Sequence, residues 1–266
     1  MTSLTELPSE AVARRMVEQV ILGGSRSCPV CHGKLKVSQA YLWCRVCRKK
    51  IRPKALTWLT HCRLSYRQLL TLIWCWQQRQ APGTARLVAG VSYTAVRRWY
   101  WRFRRHLPAE LQQGQLLGIV EVDEAYFGKK KYGRQTIVIG AIERDTRKLR
   151  LQVIPDTEQD SLELFITRHI ARSSLVLTDY HGGYNDLAWY GYSHERCNHS
   201  RGHFGLTNQI ENTWGVMKRY LRKLYGCIPT RQLQLVLNEW LARHNHQQLF
   251  VSPIAYLREV CSVRVD

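Results

Sequence analysis

The chain has 266 residues, 45% of them apolar and 10% aromatic, which excludes a globally disordered protein and provides a core that needs no disulfide support. Its longest strongly apolar run, Leu69 to Trp76, is too short to cross a bilayer, and the opening residues lack the basic-then-apolar pattern of a secretory leader, so an intracellular protein free of membrane is expected. The formal charge of +20 is uneven, with 20 basic and 4 acidic residues over 1–115 against 20 and 16 over 116–266, a load that suits a polyanion, nucleic acid ahead of an anionic membrane surface.

In chain order, residues 1–24 read as a short helix over Ala11 to Ile21, broken by Gly23 and Gly24. Residues 25–55 are rich in cysteine and basic side chains. Residues 56–108 read as helices: an apolar face over Leu69 to Trp76, a turn at Pro82-Gly83, a short helix from Thr84, Gly90 as a turn residue, and a helix capped by Ser92 and running to Arg105. Residues 109–116 read as a linker. The pattern then changes to strands, with Leu117 to Asp123, a hairpin of Thr136 to Ile142 and Leu149 to Ile154, a helix over Glu158 to Ala171, and a strand over Ser174 to Thr178. Helices follow over Leu206 to Leu224 and Arg231 to Asn245. The fold class expected is α+β, with small N-terminal modules ahead of a mixed-sheet domain at 117–266; this order is compatible with a ribonuclease-H-like core.

Nine cysteines are present, an odd number whose placement fits a reducing compartment better than an oxidised scaffold. Cys28-Pro-Val-Cys31 and Cys44-Arg-Val-Cys47 are separated by twelve residues. Each pair lets two thiolates converge from one knuckle, and two knuckles complete a closed tetrahedral site, so Cys28, Cys31, Cys44 and Cys47 are read as ligands of one structural zinc; a redox pair or simple burial is the competing reading. His32 is read as a bystander. Lys34, Lys36, Arg45, Arg48, Lys49, Lys50, Arg52 and Lys54 form a ribbon of cations suited to phosphates, and Tyr41 and Trp43 are read as hairpin supports.

The segment Thr84 to Arg105 resembles a helix-turn-helix. Its second helix offers Tyr93, Thr94, Arg97, Arg98, Arg102, Arg104 and Arg105 on its polar side, with Val96, Tyr100 and Phe103 facing inward. A DNA groove would relieve the mutual repulsion of so many guanidinium groups; a solvated basic helix packed on a core is the alternative.

In the nearly charge-balanced second half, three carboxylates stand out: Asp123 at the end of its strand, Asp179 after Leu175-Val-Leu-Thr178, and Glu211 near the start of a helix. Two acids on neighbouring strands and one on a covering helix can hold two Mg²⁺ or Mn²⁺ ions roughly 4 Å apart for phosphoryl transfer. Glu121 and Glu124 are the rival acids, and His181, His194, His199 and His203 are read as mainly structural side chains around a DNA channel.

Val122-Asp-Glu-Ala-Tyr-Phe-Gly128, Thr178-Asp-Tyr-His-Gly-Gly-Tyr184, His199-Ser200 and Thr207-Asn-Gln-Ile-Glu-Asn-Thr-Trp-Gly-Val-Met-Lys-Arg219 resemble the motif blocks of zinc-ribbon DDE transposases, the Merlin-type elements and bacterial insertion sequences with an ISXO-like domain. The resemblance spans about residues 25–260. It implies a ribonuclease-H-like fold, Mg²⁺-dependent cleavage and strand transfer, double-stranded DNA partners (terminal inverted repeats and target), a homodimer or larger synaptic complex, and bacterial cytoplasm ahead of a eukaryotic nucleus. Carried over by position, the catalytic residues are Asp123, Asp179, Glu211 and Lys218. Lys218 lies seven residues after Glu211, on the same helix face and about 10 Å away; with Arg219 and Arg222 it would reach DNA phosphates. Trp214 is read as core packing. A DNA-binding regulator derived from such an enzyme, and a structure-selective nuclease, are the alternative functions.

Overall fold

A computed structural model describes residues 8–24, 27–38, 41–108, 112–128, 135–197, 207–226 and 228–261. It divides into two compact units, residues 1–108 with 247–266, and residues 109–246.

In the first unit, α1 (Glu10–Ile21) buries Ala13, Val17 and Ile21, a spacing of four that lines one face of a helix. Strands β1 (Leu35–Val37), β2 (Leu42–Cys44) and β3 (Lys50–Ile51) form a small antiparallel sheet. Its apolar side gathers Leu35, Leu42 and Ile51 around Cys28 and Cys44. Helix α2 (Tyr66–Gln77) begins on a capping box of Ser65 and Gln68. Glu10 adds a second N-terminal anchor, its carboxylate accepting from the backbone N–H groups of Tyr66 and Arg67 at 2.8 Å each. Because every residue from Leu69 to Gln77 is buried, α2 is the central helix of this unit.

Helices α3 (Pro82–Ala89) and α4 (Tyr93–Arg105) follow. Pro82 opens α3, and Gly90 closes it in the left-handed conformation at φ 62°, which a residue with a Cβ adopts at a cost. The Ser92 side chain then caps α4 by accepting from the Ala95 N–H at 3.1 Å. Val96, Tyr100 and Phe103 face the core as the sequence suggests, joined by Trp99. The core is completed by α8 (Pro253–Cys261). Tyr256 donates to the Phe103 carbonyl at 3.0 Å, and Gln77 Nε2 donates to the carbonyls of Leu249 and Ser252 at 2.8 and 2.9 Å. The expected assignment of everything from 117 onward to one catalytic domain is therefore corrected. Gln247 to Cys261 belongs to the N-terminal core, because its apolar face is completed by α1 and α2.

The second unit is built on a five-stranded sheet of order β6-β5-β4-β7-β8, from β4 (Ile119–Phe127), β5 (Thr136–Glu143), β6 (Leu149–Ile154), β7 (Leu175–Asp179) and β8 (Ser193–Cys197). Pairing is antiparallel for β4–β5 and β5–β6 and parallel for β4–β7 and β7–β8. In chain order this is 3-2-1-4-5 with only the second strand reversed, the arrangement expected of a ribonuclease-H-like core. Helix α5 (Gln159–His169) covers one face with Leu162, Phe165 and Ile166 against Val120, Val122 and Ile139. Helices α6 (Asn208–Tyr225) and α7 (Thr230–Asn245) complete the unit. They are tied together by Glu239, whose carboxylate accepts from Tyr220, Tyr225 and Arg243 at 3.1, 3.0 and 2.9 Å.

Two strand boundaries differ from expectation. β4 does not end at Asp123 but continues to Phe127, because β5 supplies ladder partners as far as Phe127↔Thr136. β8 was not anticipated: Ser-His-Glu-Arg-Cys has no apolar alternation, and it pairs as an edge strand.

Candidate functional site

The parallel pairing of β4 and β7 runs from Ile119↔Leu175 to Glu121↔Leu177. Continuing that register by two residues sets Asp123 beside Asp179, just where the two strands part. Antiparallel β5 places Gly140 opposite Asp123. A Cβ on Gly140 would lie 2.6 Å from Cζ2 and Cη2 of Trp214, so only glycine leaves room for that indole. Trp214 comes from α6 and donates its Nε1–H to Asp123 Oδ2 at 3.0 Å. The expected core role of Trp214 holds (5% exposed), and it adds a hydrogen bond to an acid of the site.

Asp123, Glu124 and Asp179 can each offer a carboxylate oxygen within 4.8 Å of the others. Glu124 points to the opposite sheet face from Asp123 along the strand, and Tyr184 holds it there by donating its hydroxyl to Oε1. Asp179 Oδ1 accepts from the His181 N–H at 3.0 Å. Burial pushes the Asp123 carboxyl up to about 6, and the like charges of Asp179 and Glu211 add to this against the Trp214 hydrogen bond. Burial pushes Glu124 up to about 7, again with Asp123 and Asp179 adding, against the Tyr184 hydrogen bond. The Tyr184 phenol is raised by burial and by Glu124. Three crowded hard oxygen donors are the ligand chemistry of a divalent cation such as Mg²⁺ or Mn²⁺, so the residues fit such an ion.

Glu211 sits in the exposed first turn of α6, its Oε1 accepting from Thr207 Oγ1 at 2.6 Å. It acts on Asp123 through its charge but lies outside the three-acid cluster, so among the described residues the acid grouped with both aspartates is Glu124. The rival Glu121 has another task. It is fully buried, pairs with Arg144 Nε at 2.7 Å, and accepts from the N–H groups of Gln209 and Ile210 at 2.8 and 3.1 Å. A strand carboxylate thus caps the N-terminus of α6 and fixes the turn that carries Glu211. Lys218 is exposed two turns along α6, with Nζ 5.6 Å from the Phe127 ring centre, and Arg219 and Arg222 are exposed beside it.

His194 is bound to Thr178 Oγ1 through Nε2 at 2.9 Å. Burial first and Arg196 second hold it down to about 4, so it is neutral at pH 7. The His181 Nδ1 accepts from the Gly183 N–H. His199, Ser200, His203 and the expected helix start at Leu206 lie outside the described residues.

In the first unit, Cys28, Cys31, Cys44 and Cys47 converge with sulfurs mutually within 4.8 Å; Cys31 and Cys44 are 3.4 Å apart and Cys28 and Cys47 3.7 Å. The Cys47 backbone N–H helps pull the Cys44 thiol down to about 6. Four sulfurs from two knuckles fit a tetrahedral metal. His32 is exposed and outside this cluster. Lys49, Lys50 and Arg52 are exposed, Lys50 lying over the Tyr41 ring. Lys54 instead turns inward, donating to the Leu64 carbonyl at 2.6 Å. On α4, Tyr93, Thr94, Arg97 and Arg98 face solvent. Arg104 is buried. Arg102 donates to the Trp58 carbonyl and stacks 4.5 Å from the Trp99 ring centre, so it is a packing cation rather than a free one.

The strand order and the carboxylate cluster where β4 and β7 part define a mixed α/β domain with three acids crowded at its strand ends. Residues 115–245 match the family model of the ISXO2-like transposase domain. No curated protein matches the chain. Among solved structures, it is similar to the catalytic core domain of BIV integrase (16% identity, TM-score 0.33, covering 48% of this chain and 84% of that one). It is also similar to the catalytic core domain of HTLV-2 integrase in complex with magnesium. The trimeric form gives 13% identity and TM-score 0.33 over 47% of this chain and 84% of that one. The dimeric form gives 14% and 0.35 over 50% and 88%.

Proposed function

We propose that the protein is a DNA transposase that binds the terminal inverted repeats of its element and catalyses divalent-metal-dependent cleavage and strand transfer. The observation that carries this reading is the convergence of Asp123, Glu124 and Asp179 in a domain that matches the transposase family model. Asp123 and Asp179, with Glu124 on one side and Glu211 on α6 on the other, would hold the ions. When bound, two divalent ions activate an attacking oxygen and stabilise a leaving one.

The chain's own groups prepare the rest. Trp214 and Tyr184 fix Asp123 and Glu124 by one hydrogen bond each. Glu121 fixes the α6 turn bearing Glu211. Lys218, Arg219 and Arg222 present cations along the exposed side of α6 for the DNA backbone. Hydrolysis breaks one P–O bond, leaving a 3′-hydroxyl and a 5′-phosphate. That hydroxyl then attacks a target phosphodiester, forming one P–O bond as another breaks.

The four-cysteine knuckle would hold one structural zinc. The exposed cations Lys49, Lys50 and Arg52, with Tyr93, Thr94, Arg97 and Arg98 on α4, would bind the repeats. Arg102 supports α4 from within. Holding two ends together calls for a homodimer or larger assembly.

The test is incubation of the full chain with labelled DNA carrying the element's ends and Mg²⁺ or Mn²⁺. Wild type cuts at the ends and joins them to target; Asp123→Asn and Asp179→Asn bind the ends but do not cut. Binding without any cutting by wild type would make it a regulator, and cutting of branched DNA regardless of end sequence would make it a structure-selective nuclease.

A further inference from the structure

Immediately after Asp179, the chain exposes an aromatic ring that core packing does not explain. Tyr180 is 63% exposed. The guanidinium of Arg196 lies 5.4 Å from its ring centre and is fixed by donating to Asn185 Oδ1 at 2.8 Å. Arg196 belongs to β8, where it is the register partner of Thr178. Asn185 follows the 3₁₀ turn Gly182–Tyr184, whose Tyr184 holds Glu124. The ring and the cation are therefore anchored to the same backbone that carries the acids.

We propose that Tyr180 and Arg196 form a nucleotide platform, on which one unpaired base next to the scissile phosphate stacks against the tyrosine while Arg196 takes the adjoining phosphate. The proposal rests on the reading of the acids as a phosphodiester site. Tyr180 follows Asp179 directly and, with Thr178 and Arg196, shares the side of the sheet on which Tyr184 meets Glu124; a phosphate held by Glu124 and Asp179, whose carboxylates converge, brings the neighbouring nucleotide to it. The ligand is a nucleotide because the pair offers a π-face and a fixed planar cation side by side, the two features that hold a base and its phosphate. The base is unpaired because a base inside a duplex has both faces covered by its neighbours. The site thus favours DNA whose end is frayed or whose flanking base is turned out of the helix.

The experiment uses the full chain with no divalent ion, so that binding is read without chemistry. Forked duplexes with three unpaired terminal nucleotides carry 2-aminopurine or 5-iodouracil there, and blunt duplexes serve as comparison. The expected results are quenching of 2-aminopurine on the forked DNA and a photoadduct mapped to Tyr180. Tyr180→Ala removes the adduct and weakens the quenching titration about 5- to 150-fold, the worth of one base–aromatic stack. Tyr180→Phe, which keeps the π-face, restores both, and Arg196→Ala weakens the titration. The proposal is overturned if Tyr180→Ala quenches like wild type, if blunt and forked DNA behave alike, or if adducts fall on Trp189 or residues 1–108 in place of Tyr180. Failure of Mg²⁺-dependent cleavage with an intact Tyr180 adduct removes the transposase reading and leaves the platform; intact cleavage with no adduct removes the platform alone.

Discussion

Gly140→Ala tests the link between sheet packing and the acids. The added Cβ would lie 2.6 Å from two ring carbons of Trp214 and 3.0 Å from Leu151 Cδ2. The indole is 5% exposed and Leu151 fully buried, so neither can swing into water. Overpacking of this kind costs about 1–3 kcal/mol. Restricting the unfolded chain returns only about 0.4–1 kcal/mol, so the clash wins. For a unit of this size, 1 kcal/mol is about 4 °C, and Tm of the second unit should fall by roughly 2–10 °C by calorimetry. Because the displaced ring also donates to Asp123, end cleavage should fall more than stability alone requires. In the double variant with Trp214→Phe, the smaller ring relieves the clash, so the two stability losses should add to less than their sum. An unchanged Tm for Gly140→Ala, or strictly additive losses, would refute the reasoning.

Glu121→Ala should cost about 3 kcal/mol, the lower part of the range for breaking a buried ion pair, since Arg144 keeps some solvent access. Hydrogen exchange should show the first turn of α6 opening, and equal protection in variant and wild type would remove the capping role. His169 is held down to about 4, first by burial and then by Arg150; the unfolded chain then binds its proton first, so wild type should lose stability relative to His169→Leu as pH falls from about 6.5 to about 4. Denaturant titrations at stepped pH check this, and a parallel pair of curves would contradict it. Zinc chelation or Cys44→Ser should unfold the three-stranded ribbon and weaken DNA binding while the Tm of the second unit holds; metal analysis finding no zinc would overturn the metal assignment.

Elements whose pattern is local were legible in the sequence. The α3–Gly90–α4 turn, the β5–β6 hairpin and the paired cysteine knuckles each follow from residues within a few positions of one another. What escaped depends on distant partners. β8 is held by pairing with β7, and α8 by burial of Tyr256 against Trp76 and Phe103, so neither has a periodic signal of its own. The same holds at the site. Asp123 and Asp179 stand out as acids after apolar strands. Glu124 reads in the sequence as a rival acid beside Asp123; its place in the cluster and its hydrogen bond from Tyr184, 60 residues away, are set by the fold. Glu121 shared a face with Asp123, but its partners Arg144, Gln209 and Ile210 are set by topology. Arg102 looked like its exposed neighbours until Trp58 and Trp99 enclosed it.

Mn²⁺ binding to the full chain tests most directly whether Asp123 and Asp179 share divalent ions. Electron paramagnetic resonance titration, with anomalous scattering from Mn²⁺-soaked crystals, should find manganese between these two carboxylates. Asp123→Asn and Asp179→Asn should each abolish that binding without unfolding the domain. Mn²⁺ bound equally well by both variants, or located away from both residues, would contradict the account.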